Sequence, residues 1–113
     1  FQEGGDPLAI SFLVVSAVII APVVEEVIFR GCIYRFFKSQ TGLIAAQLIS
    51  GSIFALMHAN LLSFVPLVCV GVILARTYER SGNLWVPIWF HAFFNGFSLL
   101  ILYLTGLSEA IPQ

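Results

Sequence analysis

Charge is what this chain has least of. Only 5 Lys or Arg and 6 Asp or Glu occur among 113 residues, against 59% hydrophobic residues. That is too little polar surface to cover a water-soluble globule of this length, so the solvent that fits is a bilayer. The formal net charge of -1 provides no basic field to attract nucleic acid, and no long acidic run suggests a disordered tail. There are two cysteines, Cys32 and Cys69. They lack CxxC spacing, so they are expected to be small core hydrophobes rather than a metal clamp or a disulfide. HExxH is absent, and Ser50, Ser52 and Ser63 have no base at a nucleophile's spacing. With Gly51 and Gly71, these serines suit close helix contacts.

What is present in quantity is apolar sequence. Four segments are long enough for helices: Leu8 to Phe37, Leu43 to Ala59, Leu61 to Ala75 and Leu84 to Leu104. The fold class expected is all-α, a multi-span transmembrane bundle of about four membrane helices. The first segment exceeds a vertical span, so it tilts or projects past the hydrocarbon. The third is short and carries Pro66, which suggests a kinked or partly re-entrant helix. Residues 1–113 read as one membrane-embedded unit. The opening on Phe1, without a basic n-region, reads as part of a longer protein.

Arg35 and Lys38 fall between the first and second segments, and Arg76 and Arg80 between the third and fourth. The connection around Asn60 has no charge. Both basic loops are therefore expected on the cytoplasmic side, with Glu3, Asp6 and Glu109 opposite, in an integral protein of a bacterial inner membrane. Trp85 and Trp89 open the fourth segment as interfacial indoles would.

Against this background a few polar residues stand out. Glu25 and Glu26 lie side by side in an apolar run, where a carboxylate costs several kcal/mol unless it is paired, protonated or facing a wet cavity. Arg30 lies one turn beyond Glu26 and can pair with it. Glu25 points about 100° away and has no partner in its own helix. His58 also lacks a charged neighbour in sequence. His91 and Asn95 are four apart and share a helix face. Singly, His58 could be a packing or interfacial residue and Asn95 interhelical glue. Counted from the basic loops, Glu25 lies about 22 Å up its helix, His58 about 26 Å, and His91 and Asn95 about 14 and 20 Å. Polar groups at similar depth on three helices suit a buried active site.

A carboxylate and an imidazole sharing a water can remove its proton while two further donors hold the oxyanion formed at a carbonyl. In that scheme Glu25 is the general base, His58 its partner on the water, and His91 with Asn95 the oxyanion donors. Glu26 and Arg30 give structural support. The alternative is a zinc site with Glu25, His58 and His91 as ligands, since two His and one Glu form a known catalytic set. The metal-free reading needs no cofactor.

Three stretches carry a resemblance. Glu25-Glu26-Val27-Ile28-Phe29-Arg30, then Phe54 to His58, then His91 to Asn95 resemble the EExxxR, FxxxH and HxxxN motifs of the CPBP family. That family joins CAAX prenyl endoproteases with bacteriocin-processing enzymes. The match covers Ala21 to Asn95, in family order. It implies an all-helical membrane core and endopeptidase activity, with Glu25, His58, His91 and Asn95 catalytic and Glu26 with Arg30 supporting. It also implies a peptide or prenylated protein substrate met at the lipid bilayer. Family members usually have more than four spans, and many carry the metalloprotease label. Two other functions use the same features: a non-catalytic immunity or scaffold protein that binds a bacteriocin or partner, and a proton or ion pathway.

Overall fold

The computed structural model describes residues 5–110, with side chains through residue 106. Glu3 lies outside the described residues, as does the side chain of Glu109. Four helices follow one another, and among the described residues there is no strand. Helix α1 runs Pro7–Gln40, α2 Leu43–Met57, α3 Phe64–Ser81 and α4 Trp85–Ala110. The expected all-α membrane fold is present.

Local chemistry sets these ends. Asp6 accepts from Leu8 N–H at 3.0 Å and Pro7 occupies the first turn, where its missing hydrogen is not needed. α3 ends on Gly82 in the left-handed conformation, φ 63°, which glycine adopts without a Cβ penalty. Asn83 Oδ1 then caps α4 by accepting from Trp85 N–H at 2.9 Å. Pro66 falls in the first turn of α3, which begins at Phe64. The kink expected there is therefore absent, because proline at that position removes no helical hydrogen bond.

Beside an apolar core that includes Phe54 and Leu74, the bundle buries polar groups and leaves many large apolar side chains outside. Glu26, Arg30, Gln47, Ser50 and His91 are buried, while Leu8, Phe12, Ile44, Met57, Trp89 and Phe93 face outward. Apolar residues outside and charges inside are what a hydrocarbon solvent demands, and the chain is an integral membrane protein. α1 and α4 are long and apolar enough to cross a membrane, whereas α2 is a shorter apolar helix. Cys32 and Cys69 are exposed, correcting their expected place in the core. In lipid an outward face is also apolar, so hydrophobic character does not separate the two locations.

α2 and α3 pack through glycine. A Cβ on Gly71 would stand 2.8 Å from Gly51 Cα, and one on Gly51 would stand 3.1 Å from Val68 O, so only hydrogen fits where these backbones meet. At the opposite edge Lys38 Nζ pairs with Glu79 Oε1 at 2.6 Å, and the Tyr34 hydroxyl donates to Glu79 Oε2 at 2.9 Å. That contact brings the two basic segments to one end of the bundle.

Candidate active site

α1 departs from α-helical geometry twice, with wide π turns at Ser16–Ile20 and Phe29–Tyr34, a form common beside functional sites. Glu25 and Glu26 lie between them. The first π turn has a traceable consequence. Ala21 N–H donates to Ser16 O, and the next residue, Pro22, has no hydrogen to give. Ala17 O is thereby left without its normal helical donors. Asn95 Nδ2 fills the vacancy from α4, donating at 2.9 Å.

Below this tie the charged groups meet. Arg30 Nη1 lies 3.2 Å from Glu26 Oε1, and Arg30 Nη2 donates to Gly71 O on α3 at 2.9 Å. The guanidinium also sits 4.9 Å from the centre of the Phe54 ring, within cation–π range. His91, 2% exposed, uses both ring nitrogens. Nδ1 lies 2.7 Å from Glu26 Oε1, and Nε2 lies 3.1 Å from Glu25 Oε2.

Nδ1 of His91, facing the Arg30-paired Glu26 carboxylate, is a donor. Nε2 facing Glu25 then needs one proton between two acceptors, held either by imidazolium beside carboxylate or by neutral imidazole beside carboxylic acid. In both forms Glu25, Glu26, Arg30 and His91 sum to zero, which lets the group lie in an apolar bundle.

His58 is placed differently. Its Nδ1 lies 2.7 Å from Phe54 O in its own helix, so the partner that its sequence lacked is a backbone carbonyl. Nδ1 is thus the donor and Nε2 is left as an acceptor. Glu25 and His58 line a common cavity of about 350 Å³, walled by Ile28, Phe29, Ile33, Ile53 and Met57. The structure thus brings Glu25, Glu26, Arg30 and His91 into contact and puts His58 on the same cavity as Glu25. Asn95, one turn above His91, has one amide hydrogen on Ala17.

Sequence reasoning missed Phe54 as a packing centre. Its ring meets Phe29 at 5.4 Å, His58 at 4.7 Å and His91 at 5.7 Å, largely edge-on as aromatic quadrupoles prefer. It also missed the carbonyls of Ala17 and Gly71. Pro22 was the visible signal for the first; nothing marked the second.

The zinc alternative meets the same geometry. Such a site needs three protein ligands around one ion. Among the described residues no three His, Cys, Asp or Glu side chains gather closely enough to hold a metal ion. Glu25 and His91 touch, and His58 lies on the cavity that Glu25 lines.

The chain has relatives among known proteins. Residues 7–97 match the family described as Type II CAAX prenyl endopeptidase Rce1-like. YdiL of Bacillus subtilis (strain 168) is 32% identical over 105 residues, 93% of this chain and 43% of that protein. The Membrane-embedded CAAX protease MroQ of Staphylococcus aureus (strain USA300) is 36% identical over 104 residues, 84% of this chain and 42% of its own length. UPF0177 protein YbdI of Lactococcus lactis is 33% identical over 92 residues, 80% of this chain and 48% of its own. The chain thus spans less than half the length of these curated relatives. No solved structure matches it.

Proposed function

The chain belongs to the Rce1-like family of type II CAAX prenyl endopeptidases, and on that footing we propose that it is the catalytic core of an intramembrane endopeptidase acting through a Glu25-activated water. The observation that carries this reading is Glu25 itself. One of its oxygens meets His91 Nε2 at 3.1 Å, while its carboxyl opens onto the cavity shared with His58.

In the proposed reaction a water lies between Glu25 and the free Nε2 of His58. Glu25 takes its proton as the water oxygen attacks the peptide carbonyl carbon. Having gained that proton, Glu25 no longer attracts the His91 Nε2–H. That hydrogen and the second amide hydrogen of Asn95 turn to the oxyanion. Collapse breaks the C–N bond, and Glu25 returns the proton to the departing amine. Glu26 and Arg30 keep His91 oriented throughout. No covalent enzyme intermediate forms.

The substrate is a peptide segment held at or in the bilayer, either the end of a prenylated protein or a bacteriocin or leader peptide. The Ile and Met walls of the cavity favour apolar side chains beside the cut bond. The basic end carrying Arg35, Lys38, Arg76 and Arg80 is assigned to the cytoplasm of a bacterial inner membrane.

The test is peptide mass spectrometry on membranes from cells making the wild-type protein, Glu25→Gln or His58→Ala at equal membrane levels. The expected result is a peptide cut only by the wild type. Identical peptide profiles with retained biological function in both variants would favour the immunity or scaffold role.

A further inference from the structure

The α2–α3 hairpin is shorter than the helices beside it. Its lower limit is marked by charge: Arg76, Glu79 and Arg80 on α3 stand beside Arg35 and Lys38 on α1, tied by the Lys38–Glu79 pair. Above that level the apolar part of α3, from Ala75 back to Phe64, rises only about 18 Å. α2, 15 residues long, rises about 22 Å from its first residue. A bilayer's hydrocarbon core is about 30 Å thick. The 22-residue apolar stretch of α4 rises about 33 Å and clears it. Tilt only lowers the hairpin further.

The connection at its tip is built for such a position. Leu61 and Leu62 are each 94% exposed, projecting from the turn without a protein neighbour to cover them. Yet the backbone there is largely self-satisfied. His58 N–H donates to Ala55 O, Ala59 N–H to Leu56 O, Ser63 N–H to Asn60 O and Phe64 N–H to Leu61 O. Leu62 N–H is taken by the Asn60 side-chain oxygen at 3.1 Å. Ala59 accepts a positive φ of 51° within this closed turn. A water-exposed loop has no need to bond its backbone internally, and water does not favour two naked leucines side by side. Hydrocarbon requires the first and rewards the second. Asn60 and Leu61, whose backbone N–H groups are outside that set, line a cavity of about 200 Å³ at the tip, large enough for several waters.

We propose that residues 58–63 form a re-entrant tip immersed among lipid acyl chains, about 8 to 12 Å short of the far edge of the hydrocarbon core. The hairpin enters and leaves on the basic side. α1 and α4 alone cross, so the start of α1 and the end of α4 still lie on one side. His58, at the end of α2, is then reached through the bilayer rather than from the far aqueous face.

The experiment places a nitroxide at Leu61→Cys or Leu62→Cys in a Cys32→Ala, Cys69→Ala background, with the protein in liposomes. Collision rates with oxygen, which partitions into lipid, and with a nickel chelate, which stays in water, are compared. Reference labels sit at Ile73→Cys, on the outward face of α3, and at Arg80→Cys, at the basic end. Both tip positions are expected to favour oxygen several-fold over the chelate, as residue 73 does. Chelate access like that of residue 80 would overturn the proposal by placing the tip in water. Low access to both reagents would overturn it equally, by showing a second copy or a further protein segment over the leucines. Both sites are almost fully exposed, so the substitutions remove no packing.

Discussion

Nδ1 of His91 lies 2.7 Å from Oε1 of Glu26, the same oxygen that Arg30 Nη1 approaches at 3.2 Å. A single buried oxygen thus joins α4 to the cation of α1. Glu26 holds the ring that in turn meets Glu25, so in the proposed mechanism it acts through His91.

Glu26→Gln is therefore expected to lower turnover about 10- to 100-fold, the usual cost of losing a group that orients a functional histidine. Stability should show the charge more sharply. Glu26→Ala strands Arg30, which is 1% exposed, at a cost of about 3–5 kcal/mol. Adding Arg30→Met should recover most of that loss while activity stays low. Thermal unfolding in detergent and peptide cleavage, measured on all four members of the cycle, separate the two effects. Recovery of activity in the double variant would refute the orienting role.

Much of this is legible in the sequence, and the reason differs by residue. The Glu26–Arg30 pair follows from one helical turn of spacing. So does the separate direction of Glu25. The meeting of Glu25 with His91 does not follow from local spacing, and counting depth along each helix sets them about 8 Å apart. That count takes the helices as upright and starting from one level, whereas side chains on tilted helices meet across such offsets. His58 finds its partner one turn back, in a carbonyl that every sequence position possesses. The π turns leave no composition mark except Pro22. Nor does a sequence show that the short third segment pairs with the second as one hairpin.

Removal of metal is the second test of the site. Because no three candidate ligands converge among the described residues, purified protein dialysed against a strong chelator is expected to keep its cleavage rate. Loss of activity that zinc alone restores would overturn the water mechanism in its metal-free form.

Gly71 carries two duties at one position: it admits Gly51 and offers its carbonyl to Arg30. Gly71→Ala places a methyl 2.8 Å from Gly51 Cα, a backbone contact that cannot move aside cheaply. Overpacking of this kind costs about 1–3 kcal/mol. The expected result is a lower Tm together with reduced activity, since separation of α2 from α3 also withdraws the acceptor of Arg30. Unchanged Tm would mean that the crossing is looser than these distances require.

Acid sensitivity should arise at the charged end. The Lys38 hydrogen bonds, aided by Tyr34 and opposed by partial burial, hold the Glu79 carboxyl below its ordinary value of 4.5. A lowered folded-state value means that the stabilisation is fully present above about pH 4.5 and fades as pH falls through the folded value. Lys38→Met should therefore lower Tm at neutral pH, with the gap to wild type narrowing below about pH 4.5. The effect is small because Lys38 is largely solvated. A gap that is constant from neutral to acid pH would show that the pair contributes nothing.

The contact between Asn95 and Ala17 permits a repair experiment. Asn95→Leu leaves Ala17 O without a donor in an apolar setting, at a cost of about 1–3 kcal/mol. Pro22→Ala restores a backbone N–H in the turn that follows Ala17, which the proline had removed. In the Asn95→Leu background, Pro22→Ala is expected to regain part of the lost Tm. In the wild-type background the same change has no orphan carbonyl to satisfy and should gain less. Activity divides from stability here, because the Asn95 amide is also assigned to the oxyanion. Repair of the carbonyl should restore the fold without restoring cleavage, whereas recovery of both would reduce Asn95 to a structural tie.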